Sequence, residues 1–211
     1  DVYKRQKHII MKKRNFIIGA SSLIFTGLYP VVSMAENAST YFSLIWRGLD
    51  VGFSNIKLKR SGKKITANIE VKISVKVLNF DAFSYNLKNE EIWEAGVLTK
   101  IKSKTIIGKK TEFVKGERKN KGFQIEGSKF SGLVKGNPAT TSYFSPDFLK
   151  RKIWISTQDG DPLSVNANKI GPDMAKSVDG EIPATLWKIS GDLDLELLYG
   201  NDGEWLGSRF N

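Results

Sequence analysis

The amino-acid sequence predicts an all-β protein: a single curved antiparallel sheet, half-open or closed into a barrel, of about ten strands with little helix. Three observations predict it. Ile65, Ala67, Ile69, Val71, Ile73, Val75 and Val77 alternate without a break with Lys64, Thr66, Asn68, Glu70, Lys72, Ser74 and Lys76. A period of two puts the first set on a buried face and the second in water, whereas a helix would scatter both around its circumference. Turn signals recur at the spacing of antiparallel proteins, and no stretch carries a long helical period.

Taken in order, residues 53–59 read as a strand, joined to the long one by the turn Arg60-Ser61-Gly62-Lys63. Residues 97–107 carry Lys100, Lys102 and Lys104 on one face. Short strands at 112–114 and 122–126 flank a Lys-rich turn over 116–121. Ser145 can cap a single helical turn opened by Pro146. Strands at 153–157 and 163–167 flank the turn Gln158-Asp159-Gly160-Asp161-Pro162. Residues 185–189, 193–199 and 204–210 close the chain, with Gly200-Asn201-Asp202-Gly203 as the last turn.

The N-terminus reads as processing signals. Asp1-Val2-Tyr3-Lys4-Arg5-Gln6 back-translates to the mosaic end of a sequencing-library transposon, so residues 1–10 are expected to be non-native. Residues 11–35 have the pattern of a secretory signal. Lys12, Lys13 and Arg14 precede an uncharged stretch, and Ser33-Met34-Ala35 offers small residues for cleavage after Ala35. Gly19, Ser21, Ser22, Gly27 and Pro30 interrupt that stretch, which argues against a membrane anchor. Lys13-Arg14-Asn15-Phe16-Ile17 resembles a twin-arginine export signal with Lys in the first Arg position, and general secretion is the simpler expectation. Residues 36–211 then form one β domain in the periplasm or outside the cell. Removing residues 1–35 takes away six Lys or Arg and one Asp, lowering the net charge from +11 to +6. Export argues against a nucleic-acid partner and leaves anionic envelope components or lipid. Membrane contact is expected only through the signal before cleavage.

Composition narrows the chemistry. There is no Cys, and the one His, His8, falls in the leader. Thiolate zinc sites, cysteine nucleophiles, His-based triads and disulfides are thereby excluded from residues 36–211. Asp192, Asp194 and Glu196 share one face of a strand about 6.6 Å apart, a flat row unable to enclose calcium alone. It reads better as a solvated face paired with Lys rows such as Lys100, Lys102 and Lys104. Asp159-Gly160-Asp161 lacks the other oxygens of a calcium loop, and Ser61-Gly62-Lys63-Lys64 matches a serine-enzyme string without its partner motifs. No metal, cofactor or catalytic set is expected, and the protein reads as no enzyme. Trp46, Trp93, Trp154, Trp187 and Trp205 are spread over the strands, with Tyr143 and Phe144 before the helical turn. Aromatics ordinarily fill β-sheet cores, and the alternative is a concave face lined for an apolar ligand.

Several short segments resemble one family. Asp50-Val51-Gly52-Phe53 is similar to the D-G-x-x-I-G-Y-type opening of exported bacterial β proteins that carry only a domain-of-unknown-function label. Glu91-Ile92-Trp93-Glu94-Ala95-Gly96-Val97-Leu98, followed by Thr105-Ile106-Ile107-Gly108, resembles the family's E-x-W-x-x-G-x-L…T-x-x-G centre. Gly191-Asp192-Leu193 and residues 198–205 resemble its closing hairpin, with Leu198 where the family has Trp. The resemblance implies an exported, curved antiparallel sheet without known enzymatic chemistry, often continued by another strand past the last one here. Its recurring polar pair maps to Glu91 and Trp93, which share one strand face.

Two functions are expected from this. The first is a non-enzymatic binding or carrier module for a lipid or other amphiphile, with Glu91, Trp93, Tyr143 and Trp154 as candidate ligand contacts. The second is a structural or interaction protein of the envelope whose core is filled by its own side chains. Glu91, beside a large Trp, is expected to be withdrawn from water and to need a Lys, an Arg, a Tyr hydroxyl or several backbone N–H groups.

Overall fold

The structure, a computed structural model, describes residues 9–14, 37–77 and 80–210. The leader residues 1–8, the apolar stretch of the export signal and the cut after Ala35 lie outside the described residues. The first strands are β1 (Ile9–Arg14), β2 (Asn37–Trp46), β3 (Leu49–Ser61), β4 (Lys64–Val77) and β5 (Phe80–Glu94). They continue as β6 (Val97–Ile107), β7 (Lys110–Lys119), β8 (Gly122–Gly127) and β9 (Ser131–Val134). After them come β10 (Ala139–Thr140), a 3-10 turn at Pro146–Lys150, and β11 (Ile153–Ile155). The chain ends with β12 (Pro162–Ser177), β13 (Gly180–Gly191), β14 (Leu195–Tyr199) and β15 (Trp205–Phe210). No described helix is long and apolar enough to cross a membrane.

The long alternating strand sits where its pattern puts it. Ala67, Ile69 and Ile73 are buried and Ile65, Val71 and Val75 half-buried, while Lys64, Asn68 and Lys72 face solvent. The register locks this side in, because a one-residue slip would turn the apolar set outward. Ile69 is 6 % exposed. Ile69→Ala is expected to cost about 2–5 kcal/mol, read as a lower urea midpoint at unchanged slope.

Strands β2 to β9 pair in chain order as eight antiparallel neighbours, and β10 to β15 form a second run of six. β1 lies between β15 and β2, so the basic residues read above as the start of an export signal belong to a strand of this ladder. The ladder does not close, since β9 and β10 are its two ends. Yet Val134 and Ala139 are joined by only four residues. Five Cα steps reach at most about 18 Å, so the sheet must curl its ends toward each other.

The structure corrects the strand count and the closed-barrel alternative. The described residues hold fifteen strands, and two pairings, β10–β11 and β1–β12, are parallel. The proposed turn over 116–121 shrinks to Asn120 and Lys121, because β7 keeps pairing as far as Lys119. Gly52 shows why a glycine stands in the Asp50-Val51-Gly52-Phe53 segment. It follows a break in the β2–β3 register at positive φ, and a Cβ there would come 1.9 Å from the Lys72 carbonyl oxygen.

The two runs share one core, which includes Phe42, Leu98, Phe123, Trp154, Ile155 and Leu197. The connection between β9 and β10 is tied down by two arginines rather than by carboxylates. Arg118 donates to the carbonyls of Leu98 and Gly136 and to the Asn137 side chain, while Arg151 donates to the carbonyls of Asn137 and Gly96. Just past this connection, Thr140 and Ser142 reach Glu91 on the inner side of β5.

Candidate functional site

Asn89, Glu91 and Trp93 alternate along β5, so all three point inward. They are buried, with Glu91 wholly out of water. The Glu91 carboxyl gathers donors from two directions. Asn89 Nδ2 donates to Oε1 at 2.7 Å and Trp93 Nε1 to Oε2 at 2.8 Å. From the β10 side, Thr140 Oγ1 and Ser142 Oγ reach Oε2 at 3.1 and 3.3 Å, and they lie 2.7 Å from each other.

This corrects the expected partners. Among the described residues no cation, Tyr hydroxyl or backbone N–H meets Glu91, and four neutral side chains do instead. Burial pushes its pKa above the usual carboxylate value, and the four hydrogen bonds offset that only in part. A buried acid with neutral partners is a brace between β5 and the segment opposite it.

Trp93 extends the brace. Its ring stacks on Phe148 at 4.7 Å and meets the edge of Phe144 at 6.0 Å. Phe148 comes from the 3-10 turn, which starts as expected from Ser145, whose side chain accepts from Asp147 N. Trp154 is fully buried next to this cluster, donating from Nε1 to the Phe148 carbonyl at 3.1 Å.

Beside the brace lies a half-open cavity of ≈ 110 Å³. Leu44, Ile69, Ile73 and Leu87 from β2, β4 and β5 form one wall, and Tyr143, Trp205 and Phe210 form much of the other. Polar lining comes from Ser54 and Asn89 on the first side and from Thr141, Ser142, Thr157 and Gln158 on the second. Of the four candidate contacts, Tyr143 lines this cavity, whereas Glu91, Trp93 and Trp154 lie behind its lining.

Tyr143 holds an unusual conformation for a bulky residue, with φ at +60°. Its ring sits between Trp154 and Trp205, and its carbonyl accepts from the buried Tyr199 hydroxyl at 2.7 Å. Burial pushes the Tyr199 pKa up, which keeps that hydroxyl a donor. Tyr199→Phe is expected to cost about 1–2 kcal/mol and to loosen the Tyr143 wall, measurable by thermal unfolding and by the Tyr143 ring resonances.

The model of the family described as Domain of unknown function (DUF6134) matches residues 42–211. The chain belongs to that family. No curated protein and no solved structure matches it. In this DUF6134 domain the Glu91–Trp93 pair that carried the resemblance is internal, and the adjacent cavity opens to solvent.

The polar residues missed in the sequence are Asn89, Thr140, Ser142 and Gln158. Asn89 was within reach, since it stands two before Glu91 on the same strand face. Thr140 and Ser142 lie 49 and 51 residues away and leave no local signal. The carboxylate row is solvated but finds other partners than the Lys rows. Asp194 pairs with Lys188 at 2.5 Å, Glu196 lies 3.4 Å from Arg209, and Asp192 accepts from the Ser164 backbone at 2.8 Å. Asp159 accepts from Asp161 N, and Asp161 pairs with Lys129. Among the described residues no group of three or more Asp, Glu, His or Cys is placed to hold a metal.

Proposed function

We propose that this domain is a non-enzymatic binding or carrier module of the bacterial envelope, exported by its N-terminal signal, for an apolar or amphiphilic ligand. The observation that carries this reading is the half-open cavity between β2–β5 and the segment around Tyr143. Its lining is mostly aliphatic and aromatic, with polar side chains set among them on both walls, the usual make-up of a small-molecule site. Its size suits the end of a chain or a single ring, because an engineered apolar cavity of about 150 Å³ takes up benzene. The rest of a longer amphiphile would lie across the open side.

A second reading has its own support. Trp154, Phe148 and Ile155 fill the neighbouring part of the interior, as expected of a structural protein of the envelope with a solid core. Export with cleavage after Ala35 would also remove β1 and expose the edges of β2 and β15, surfaces that recruit other strands.

Mass spectrometry of organic extracts from natively purified protein separates the two. The binding reading expects one amphiphile at near-stoichiometric amount, lost on unfolding. Extracts equal to those of an unrelated protein purified alongside would overturn it and leave the structural reading.

A further inference from the structure

The outer face of the sheet carries positive charge that the fold itself does not neutralise. Lys88 of β5 stands directly opposite Lys104 of β6, and Lys102 directly opposite Lys115 of β7. Like charges in opposed positions destabilise a sheet, because their Cβ atoms lie only about 5 Å apart. All four lysines are exposed, and among the described residues none of them makes an ion pair. Two nearby acids are engaged elsewhere, Glu70 by Lys72 at 3.0 Å and Glu117 by Lys119. Glu90 and Glu126, opposite Lys102 and Lys115, are the acids left beside them. Lys57, Lys88, Lys102 and Lys104 line an open depression of ≈ 420 Å³ together with Asn55 and Asn68, and Glu70 and Glu90 also border it. Apolar side chains stand at the margin of this charge. Phe113, directly opposite Lys104, is 37 % exposed, and Ile106, the next residue on that face of β6, is 38 % exposed.

We infer that the outer face of β3–β7 is a docking surface for an anionic phospholipid bilayer. Head-group phosphates sit among Lys57, Lys88, Lys102 and Lys104, and Phe113 and Ile106 enter the interface beside them. Charge complementarity carries the first part, since phosphates supply the negative charge that Lys88, Lys102, Lys104 and Lys115 lack and relieve the repulsion within each opposed pair. The apolar margin carries the second. A soluble polyanion would satisfy the lysines equally well but leave Phe113 and Ile106 in water, whereas a bilayer takes both at the boundary between head groups and acyl chains. The inference goes beyond the binding reading and does not depend on it. Lys88 alternates with Leu87 and Asn89, which line the cavity, so the two surfaces lie on opposite sides of the sheet. Membrane contact is thereby extended from the export signal to the folded domain.

The test is vesicle flotation of the full chain, with phosphatidylcholine alone and with equal parts of phosphatidylcholine and phosphatidylglycerol. Wild type is expected to prefer the anionic vesicles and to be released by added salt. The double variant Lys88→Gln/Lys104→Gln is expected to bind them about thirtyfold more weakly, from about fivefold for each lysine near an anionic surface. Lys169→Gln/Lys176→Gln removes the same charge from exposed positions on β12 and is expected to bind as wild type does. The basic leader is common to all variants, so differences between them report the face. Phe113→Thr, which keeps every charge, is expected to weaken binding severalfold. No preference of wild type for the anionic vesicles, or a preference that salt leaves unchanged, would overturn the inference without a variant being needed. Equal losses in the two double variants would assign the binding to net charge and overturn it as well. Lysine-dependent binding that Phe113→Thr leaves intact would overturn the bilayer as partner in favour of a soluble polyanion. None of these outcomes bears on the cavity, whose ligand is tested separately.

Discussion

Glu91→Ala is expected to remove roughly 3–5 kcal/mol of stability, more than a surface carboxylate could. The side chain is wholly buried, and its loss strands the Asn89 amide and the Trp93 indole N–H in a dry interior. Each orphaned donor costs about 1–3 kcal/mol, to which the emptied volume adds. Thr140 and Ser142 suffer less, since their hydroxyls already lie 2.7 Å apart and can satisfy each other. Glu91→Gln is expected to be milder, about 1–2 kcal/mol, because its amide keeps one acceptor but turns an N–H toward a donor. The two also differ with pH. Burial raises the Glu91 pKa, so the folded chain keeps this proton to higher pH than the unfolded chain does. The stability tied to it is fully present below the unfolded value near 4.5 and is lost as pH rises through the raised folded value. Wild type should therefore lose stability over that window relative to Glu91→Gln, which has nothing to titrate. Denaturant unfolding at a series of pH values measures both effects, and a constant difference would contradict the assignment.

Trp154→Ala is the second large effect, about 3–5 kcal/mol, from the largest fully buried side chain described. The loss is expected to spread, because Trp154 holds Tyr143 on one side and the Phe148 turn, stacked on Trp93, on the other. Trp154→Phe separates packing from hydrogen bonding. The Phe148 carbonyl also accepts from Arg151 N, so deleting the indole N–H leaves it bonded. The Phe variant is expected to lose only about 1–2 kcal/mol, read from urea midpoints. A loss as large as that of the Ala variant would place the energy in the hydrogen bond instead.

These two residues show which features the sequence carries locally. Glu91 and Trp93 could be placed on one face because strand alternation is a local rule, and the same rule set the faces of β4 and β6. The 3-10 turn after Ser145 was legible because its cap and its proline are adjacent in the chain. Hairpins were harder where the turn chemistry is atypical. Arg47-Gly48 and Ala95-Gly96 both turn at positive φ, a conformation usually signalled by Asn or Asp before Gly. β12 and β13 extend far beyond the expected strands, since residues 168–177 lack clean alternation and a register shift between Lys169 and Gly171 breaks the pattern. The partners of Glu91 were out of reach for a different reason. Thr140 and Ser142 are delivered by the turn back from β9 to β10, which depends on how far the whole sheet curls.

The central claim is that the cavity beside the Glu91 brace takes up an apolar or amphiphilic ligand. Heteronuclear NMR of the protein titrated with n-hexanol tests it most directly. Saturable shifts are predicted at Leu44, Ile69, Leu87, Asn89 and Tyr143, which line the cavity from both sides. Shifts that fail to saturate, or that spread evenly over exposed residues such as Leu49, Ile170 and Val178, would contradict the account.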